Sequence, residues 1–186
     1  IAMSARYRDK GADSAKDVVA VDSVEELEAE DTPPAPEATP ERDLARVAKV
    51  IGQHLMAGKG FNTILDARAL AEKELGRKIA AASEDAKMVD EATEVAGVVA
   101  ARALIRGKSP QDAYAALVDL NERMPNLSQR SSTSVEQQAY STPLPLAYVA
   151  SRLAGITKAT VAYEPTAGNG ALLMEADPTK SVANEL

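Results

Sequence analysis

The chain has 186 residues, a formal net charge of −7 and no cysteine. The missing cysteines exclude a disulfide framework and a thiolate metal site, and they fit a reducing, cytoplasmic compartment. Hydrophobic residues make up 45% of the chain but aromatic residues only 3%, which favours closely packed helices over a β-sandwich. No apolar run has membrane-spanning length and no signal peptide is visible, so we expect no membrane association.

The acidity is concentrated near the start of the chain. Eight acidic residues and no Lys or Arg lie between Asp17 and Glu37, together with Pro33, Pro34 and Pro36. Such a composition buries too little apolar surface to offset the entropy of ordering. We therefore predict that residues 1–39 form a disordered linker. A mimic of nucleic-acid charge is the alternative interpretation of this segment.

Residues 40–123 carry the start and stop signals of four helices. Helix starts are indicated at Thr39-Pro40-Glu41, at about Asn62, at about Ser83 and at Ser109-Pro110, and helix ends before Gly58, at Gly76 and at Gly107. Short connections between helices favour a four-helix bundle. The third helix carries the apolar run Val95–Ala101, which places it at the centre of the bundle.

The helical region offers little for binding a metal ion. His54 is the only histidine of the chain, and without a cysteine or a second histidine we expect no metal site.

Residues 124–141 are polar and rich in serine, so we interpret them as a linker to a second domain, which would occupy residues 142–186.

The most informative segment is Tyr163–Leu173, with the sequence YEPTAGNGALL, which follows the short apolar run Thr160–Ala162. Gly168 and Gly170 lack a Cβ atom, so the backbone can adopt positive φ and a ligand can come close. Ala171–Met174 can begin a helix whose N-terminal amides face that ligand. Taken alone, a Gly-x-Gly pair is more typical of an ordinary structural turn than of a ligand site.

The flanking segments complete a β-loop-α-β order. Upstream, Ser141-Thr142-Pro143 precedes an apolar helical pattern; downstream, Ser181–Glu185 is predicted to be a short strand that ends on a carboxylate. The helical pattern comprises Leu146, Val149, Ala150 and Leu153. In this order, Pro125–Leu186 resembles the methyltransferase-like domain of S-adenosylmethionine-dependent, adenine-specific DNA methyltransferases, of the kind joined to Strawberry notch-type helicases in phage and mobile-element antirestriction proteins.

The resemblance implies a mainly α chain, in which the helical bundle is followed by the truncated opening of a Rossmann-like α/β methyltransferase domain. It implies S-adenosylmethionine as cofactor of the intact parent domain, DNA as a partner of the parent protein, and a bacterial host cytoplasm or a virion as location. Seven residues would contact the cofactor: Tyr140, Thr142, Pro143, Glu164, Gly168, Gly170 and Glu185.

Within that set, Tyr140, Thr142 and Pro143 match the segment that closes over the methionine end of the cofactor. Glu164, Gly168 and Gly170 match the glycine turn beneath the cofactor, and Glu185 matches the acid that accepts hydrogen bonds from both ribose hydroxyls. Simpler roles remain open for each: Thr142 as a helix N-cap, Tyr140 as a packing residue, and the two glutamates as solvated carboxylates.

One element of the family is missing. Adenine methyltransferases hold the target amine in an Asn/Asp-Pro-Pro-aromatic loop, whereas the only Pro-Pro pair here is Pro33-Pro34, far upstream. The chain also lacks the cysteine that cytosine ring methylation uses as nucleophile. We therefore expect a fragment of a methyltransferase-like protein that is inactive alone. The alternative is a helical protein-interaction or packaging module with a vestigial cofactor pocket.

Overall fold

A computed structural model describes residues 39–126 and 141–184 of the chain. The predicted acidic linker up to residue 38 and most of the predicted polar linker lie outside these ranges. The described residues belong to one compact unit and are mainly helical, as predicted.

The described part contains five α-helices: α1 (Pro40–Met56), α2 (Ile64–Leu75), α3 (Glu84–Leu104), α4 (Pro110–Arg123) and α5 (Leu144–Leu153). Two short strands follow, β1 (Ala162–Glu164) and β2 (Ser181–Ala183). Between the strands lie two single-turn 3-10 helices, Ala171–Leu173 and Pro178–Lys180.

The helix ends follow the local signals in the sequence. The hydroxyl of Thr39 accepts a hydrogen bond from the amide of Arg42 at the start of α1. Ser83 and Ser109 cap α3 and α4 in the same way, each with a distance of 3.1 Å. Gly76 ends α2 in the left-handed conformation, at φ +69°. These boundaries confirm the four predicted helices to within about two residues, which is the normal uncertainty of helix ends.

Helix α3 lies at the centre of the core, as predicted, and packs against α1, α2, α4 and α5. It contributes mostly small side chains, including Ala92 and Ala96, both fully buried. Most of the larger fully buried side chains come from α1 and α4, namely Val47, Ile51, Leu55, Leu117 and Leu120, and α3 adds Val89. Small residues on the central helix allow the surrounding helices to approach closely, which explains how a core with so few aromatic residues is filled.

An ion-pair network joins the start of α1 to the start of α3. Arg77, in the connection between α2 and α3, donates to Asp43 at 2.8 Å and to both carboxylate oxygens of Asp85 at 2.9 Å. Asp43 is buried, with 4% of its surface exposed, and its other carboxylate oxygen lies 3.7 Å from the guanidinium of Arg46. The hydrogen bonds from Arg77 hold the pKa of Asp85 below its ordinary value.

The two strands form a parallel pair in which Ala162 lies beside Ser181, Tyr163 beside Val182 and Glu164 beside Ala183. The side chains of Tyr163 and Val182 are exposed on one face of this pair. The pair is tied to the helices through Arg102 of α3, which donates to the carbonyl oxygens of Leu173 at 2.9 Å and of Ala176 at 3.0 Å.

Helix α5 buries a different face from the one that carries its predicted apolar pattern. Leu144, Ala147 and Tyr148 are buried, whereas Leu153 is 84% exposed. Leu146, Val149 and Ala150 of the pattern are also exposed. Both faces of this helix are apolar, so the neighbouring elements, α4 and the first 3-10 helix, decide which face is buried.

Candidate functional site

The candidate site is the glycine turn, Thr166–Gly170, at the carboxyl end of β1. Gly168 and Gly170 both have positive φ, +50° and +76°, which confirms the predicted backbone conformation. A Cβ atom built on either residue would meet no atom within 4 Å, so the turn borders open space on this side. Side chains other than hydrogen would be strained at both positions and would fill that space.

The turn is anchored to the end of the neighbouring strand. The amide of Asn184, just after β2, donates to the carbonyl of Glu164 at 2.9 Å, and the amide of Ala167 donates to the carbonyl of Asn184 at 2.9 Å. The side-chain amide of Asn184 also donates to the carbonyl of Pro165 at 3.1 Å. The glycine turn therefore lies at the carboxyl edge of the parallel pair, where ligands bind in open α/β sheets.

The expected helix after the turn is a single 3-10 turn, Ala171–Leu173, so the prediction of a longer helix with ligand-facing amides is wrong. The carbonyls of Leu173 and Ala176, which a continuing helix would use internally, accept hydrogen bonds from Arg102 instead. Leu173 and Met174 are buried, which fixes the turn against the helices.

Strand β1 comprises Ala162–Glu164 and not the apolar run Thr160–Ala162. Glu164 is therefore the last residue of the strand and does not belong to the turn that follows it. Its half-buried carboxylate accepts from the amide and the hydroxyl of Thr166, both at 3.4 Å. These long hydrogen bonds hold the carboxylate beside the turn but leave it capable of accepting stronger ones.

The predicted closing segment runs from Tyr140 to Pro143, and its described residues, Ser141, Thr142 and Pro143, are exposed and lead into α5. One interpretation of the sequence made Thr142 the N-cap of this helix, and that interpretation is wrong. The N-cap is Pro143, and Pro145 occupies the first turn. Proline is favoured there because the first-turn amides have no partner within a helix.

Glu94 of α3 brings the closing segment to the glycine turn. Its Oε2 atom accepts a hydrogen bond from the Ser141 hydroxyl and another, at 2.5 Å, from the side-chain amide of Asn169. Asn169 lies between the two glycines of the turn. The predicted segments are thus joined through a residue that sequence analysis missed, because 47 and 75 positions separate Glu94 from its two partners.

Two of the predicted site residues, Tyr140 and Glu185, lie outside the described residues. Contact of Tyr140 with the cofactor and of Glu185 with the ribose therefore stay predictions. Thr142, Pro143, Glu164, Gly168 and Gly170 are all described, and they lie on the two segments that Glu94 connects.

A groove between α4 and α5 was also missed by sequence analysis. Its volume is about 420 Å³, and it is lined by Pro110, Gln111, Tyr114, Tyr148, Val149, Arg152 and Leu153. Burial raises the pKa of Tyr148, with a further contribution from the nearby carboxylate of Glu175. Two of the exposed side chains of the α5 pattern, Val149 and Leu153, belong to this groove, which makes its lining largely apolar.

Within residues 39–126 and 141–184, no cluster of His, Asp or Glu side chains could hold a metal ion. His54 stacks on the ring of Phe61, with the ring centroids 4.5 Å apart, and contacts the carbonyl of Gly60. In the same ranges, no helix combines the length and apolar character needed to cross a membrane. Comparison with known protein families, with curated proteins and with solved structures found no match to this chain.

Proposed function

We propose that this chain binds S-adenosylmethionine at the glycine turn, and that residues 142–186 are the opening of a Rossmann-like methyltransferase domain supported by a four-helix bundle. The observation that carries the proposal is the glycine turn itself. Two positive-φ glycines connect to a parallel strand pair at its carboxyl edge, which is the position of nucleotide-binding turns in Rossmann-like sheets.

The residues present fit the cofactor. The space beside Gly168 and Gly170, which any Cβ atom would occupy, lets the ligand contact the backbone. The Glu164 carboxylate lies at the strand end and accepts hydrogen bonds from Thr166, the first residue of the glycine turn. Glu185, one residue after Asn184, supplies an ionised acceptor for the ribose diol in this proposal. When bound, the cofactor supplies an electrophilic methyl group on a sulfonium centre.

We further propose that the parent protein acts on DNA, with the exocyclic amine of adenine as methyl acceptor. The loop that would hold that amine is absent from these 186 residues. The chain therefore binds the cofactor in this proposal but does not transfer its methyl group. Its own contribution is to position the cofactor between the glycine turn and the closing segment.

Isothermal titration calorimetry of the 186-residue chain with S-adenosylmethionine tests the proposal. We expect saturable, equimolar binding, with competition by S-adenosylhomocysteine and none by ATP, whose triphosphate has no cationic partner in the described turn. Absence of saturable heat at about 1 mM cofactor, equivalent to a binding free energy weaker than about −4 kcal/mol, would contradict it.

A second candidate function is a protein-interaction module. It is favoured by the apolar side chains that α5 leaves exposed, with Leu146 at 58% and Leu153 at 84%. Together with the groove between α4 and α5, they form an apolar surface of the kind that marks interaction sites. The same titration separates the two candidates, because the interaction module requires no heat with S-adenosylmethionine.

A further inference from the structure

We propose that Glu94 recognises the α-ammonium group at the methionine end of S-adenosylmethionine, which makes it a specificity-determining residue of the site. This inference rests on the proposed function. It concerns a residue of the central helix α3, far in sequence from both the glycine turn and the closing segment. The geometry around its carboxylate carries the argument.

The carboxylate of Glu94 is half-buried and accepts hydrogen bonds from two neutral donors, the hydroxyl of Ser141 and the amide of Asn169. Within the described residues, neither Lys nor Arg forms an ion pair with it. Neutral donors orient a carboxylate without neutralising its charge. The negative charge is therefore available to a cationic ligand group, and partial burial strengthens the attraction.

The position of Glu94 selects the ligand group. It lies where the closing segment meets the glycine turn, and in the proposed function that segment covers the methionine end of the cofactor. An ammonium group has three donors and no acceptor, so a carboxylate is its matching partner, and the resulting hydrogen bond is charge-assisted. The ribose and the adenine ring offer no such cation.

The nearby acids of α3 do not share this role. Asp90, one turn earlier, pairs with Arg68 at 2.9 Å, and Glu91 is exposed to solvent. Glu91→Gln therefore removes the same charge from the same helix without reaching the turn, and it serves as the matched control for Glu94→Gln.

The test compares three ligands by calorimetry: S-adenosylmethionine, S-adenosylhomocysteine and 5′-methylthioadenosine. The first two carry the ammonium group, whereas 5′-methylthioadenosine lacks the whole amino-acid part. We expect Glu94→Gln to weaken binding of the first two by about 10- to 100-fold, the range for a lost charge-assisted hydrogen bond. Binding of 5′-methylthioadenosine should be unchanged, and Glu91→Gln should match the wild type with all three ligands.

Other outcomes separate the two proposals. If Glu94→Gln loses the same affinity for all three ligands, Glu94 has a structural role in holding the turn. If it loses affinity for none of them, Glu94 is not part of the site. Either result overturns this inference and leaves the proposed cofactor binding in place. If the wild type binds none of the three, the proposed function fails and the inference fails with it. Circular dichroism spectra of both variants check that the helices are intact. Glu94→Asp, which keeps the charge, should recover part of the lost affinity.

Discussion

Arg102 and Glu94 are α3 side chains that form hydrogen bonds with the region between the two strands, and replacing Arg102 by Met should loosen that region selectively. The guanidinium of Arg102 donates to the carbonyls of Leu173 and Ala176, at 2.9 and 3.0 Å. Methionine preserves much of the apolar stem of arginine but cannot donate to either carbonyl. The substitution therefore removes two hydrogen bonds and leaves most of the packing in place.

The size of the effect follows from these two bonds. A hydrogen bond from a charged donor contributes about 1.5–3 kcal/mol, and partial exposure of Arg102 reduces this, so we expect a combined loss of about 2–4 kcal/mol. Each 1.4 kcal/mol is a factor of ten in an opening equilibrium, which corresponds to about 30- to 700-fold faster amide hydrogen exchange. The acceleration should be confined to residues 162–184, and exchange in α1 and α3 should change far less.

Hydrogen exchange followed by mass spectrometry measures this difference segment by segment. Arg106→Met is the matched control, because Arg106 lies two residues after the end of α3, is exposed and loses the same charge in this substitution. Unchanged exchange between residues 162 and 184 in Arg102→Met would refute the role of these bonds. Equal acceleration in every helix would show instead that Arg102 stabilises the whole fold.

Three further predictions concern the helical part and use urea denaturation. Leu117→Ala should lower the free energy of unfolding by about 2–5 kcal/mol, because Leu117 is fully buried, whereas Leu153→Ala, at an 84% exposed position, should change it by less than about 0.5 kcal/mol. Arg77→Met should cost about 1–3 kcal/mol at neutral pH, since it removes a hydrogen-bond donor from a buried carboxylate. Arg77 also lowers the pKa of Asp85 in the folded state. The lowered pKa stabilises the fold fully at pH values above the unfolded-state pKa of about 4. This stabilisation is lost as the pH falls through the lower folded-state pKa. The wild type should therefore lose more stability than Arg77→Met on acidification below about pH 5, and parallel pH profiles would contradict this assignment.

The helix boundaries were predictable because their causes are local. Thr39, Ser83 and Ser109 each cap a helix through an amide three residues later, and Gly76 ends α2 by its own backbone conformation. The positive φ angles of the glycine turn follow equally from residue type. Such features depend on few neighbouring residues, so the sequence contains them directly.

The features that were missed depend on distant parts of the chain. The buried face of α5 could not be chosen from its sequence, because apolar residues lie on both sides of this helix. The helix expected after Gly170 is a single 3-10 turn, and the carbonyls of Leu173 and Ala176 accept hydrogen bonds from Arg102, more than 70 positions earlier. The meeting of Ser141 and Asn169 at Glu94 likewise requires the packed fold. Local patterns indicate elements, whereas tertiary contacts decide their faces and lengths.

The central claim is that the glycine turn is a binding site for S-adenosylmethionine, and a matched pair of glycine substitutions tests it most directly. Gly170 and Gly58 have the same φ of +76°, and a Cβ atom at either would meet nothing within 4 Å. Alanine at either position should therefore cost a similar strain, about 1–2 kcal/mol. We predict similar losses of stability in both variants, with binding of S-adenosylmethionine lost in Gly170→Ala and retained in Gly58→Ala. Equal cofactor affinity in the two variants would contradict the claim.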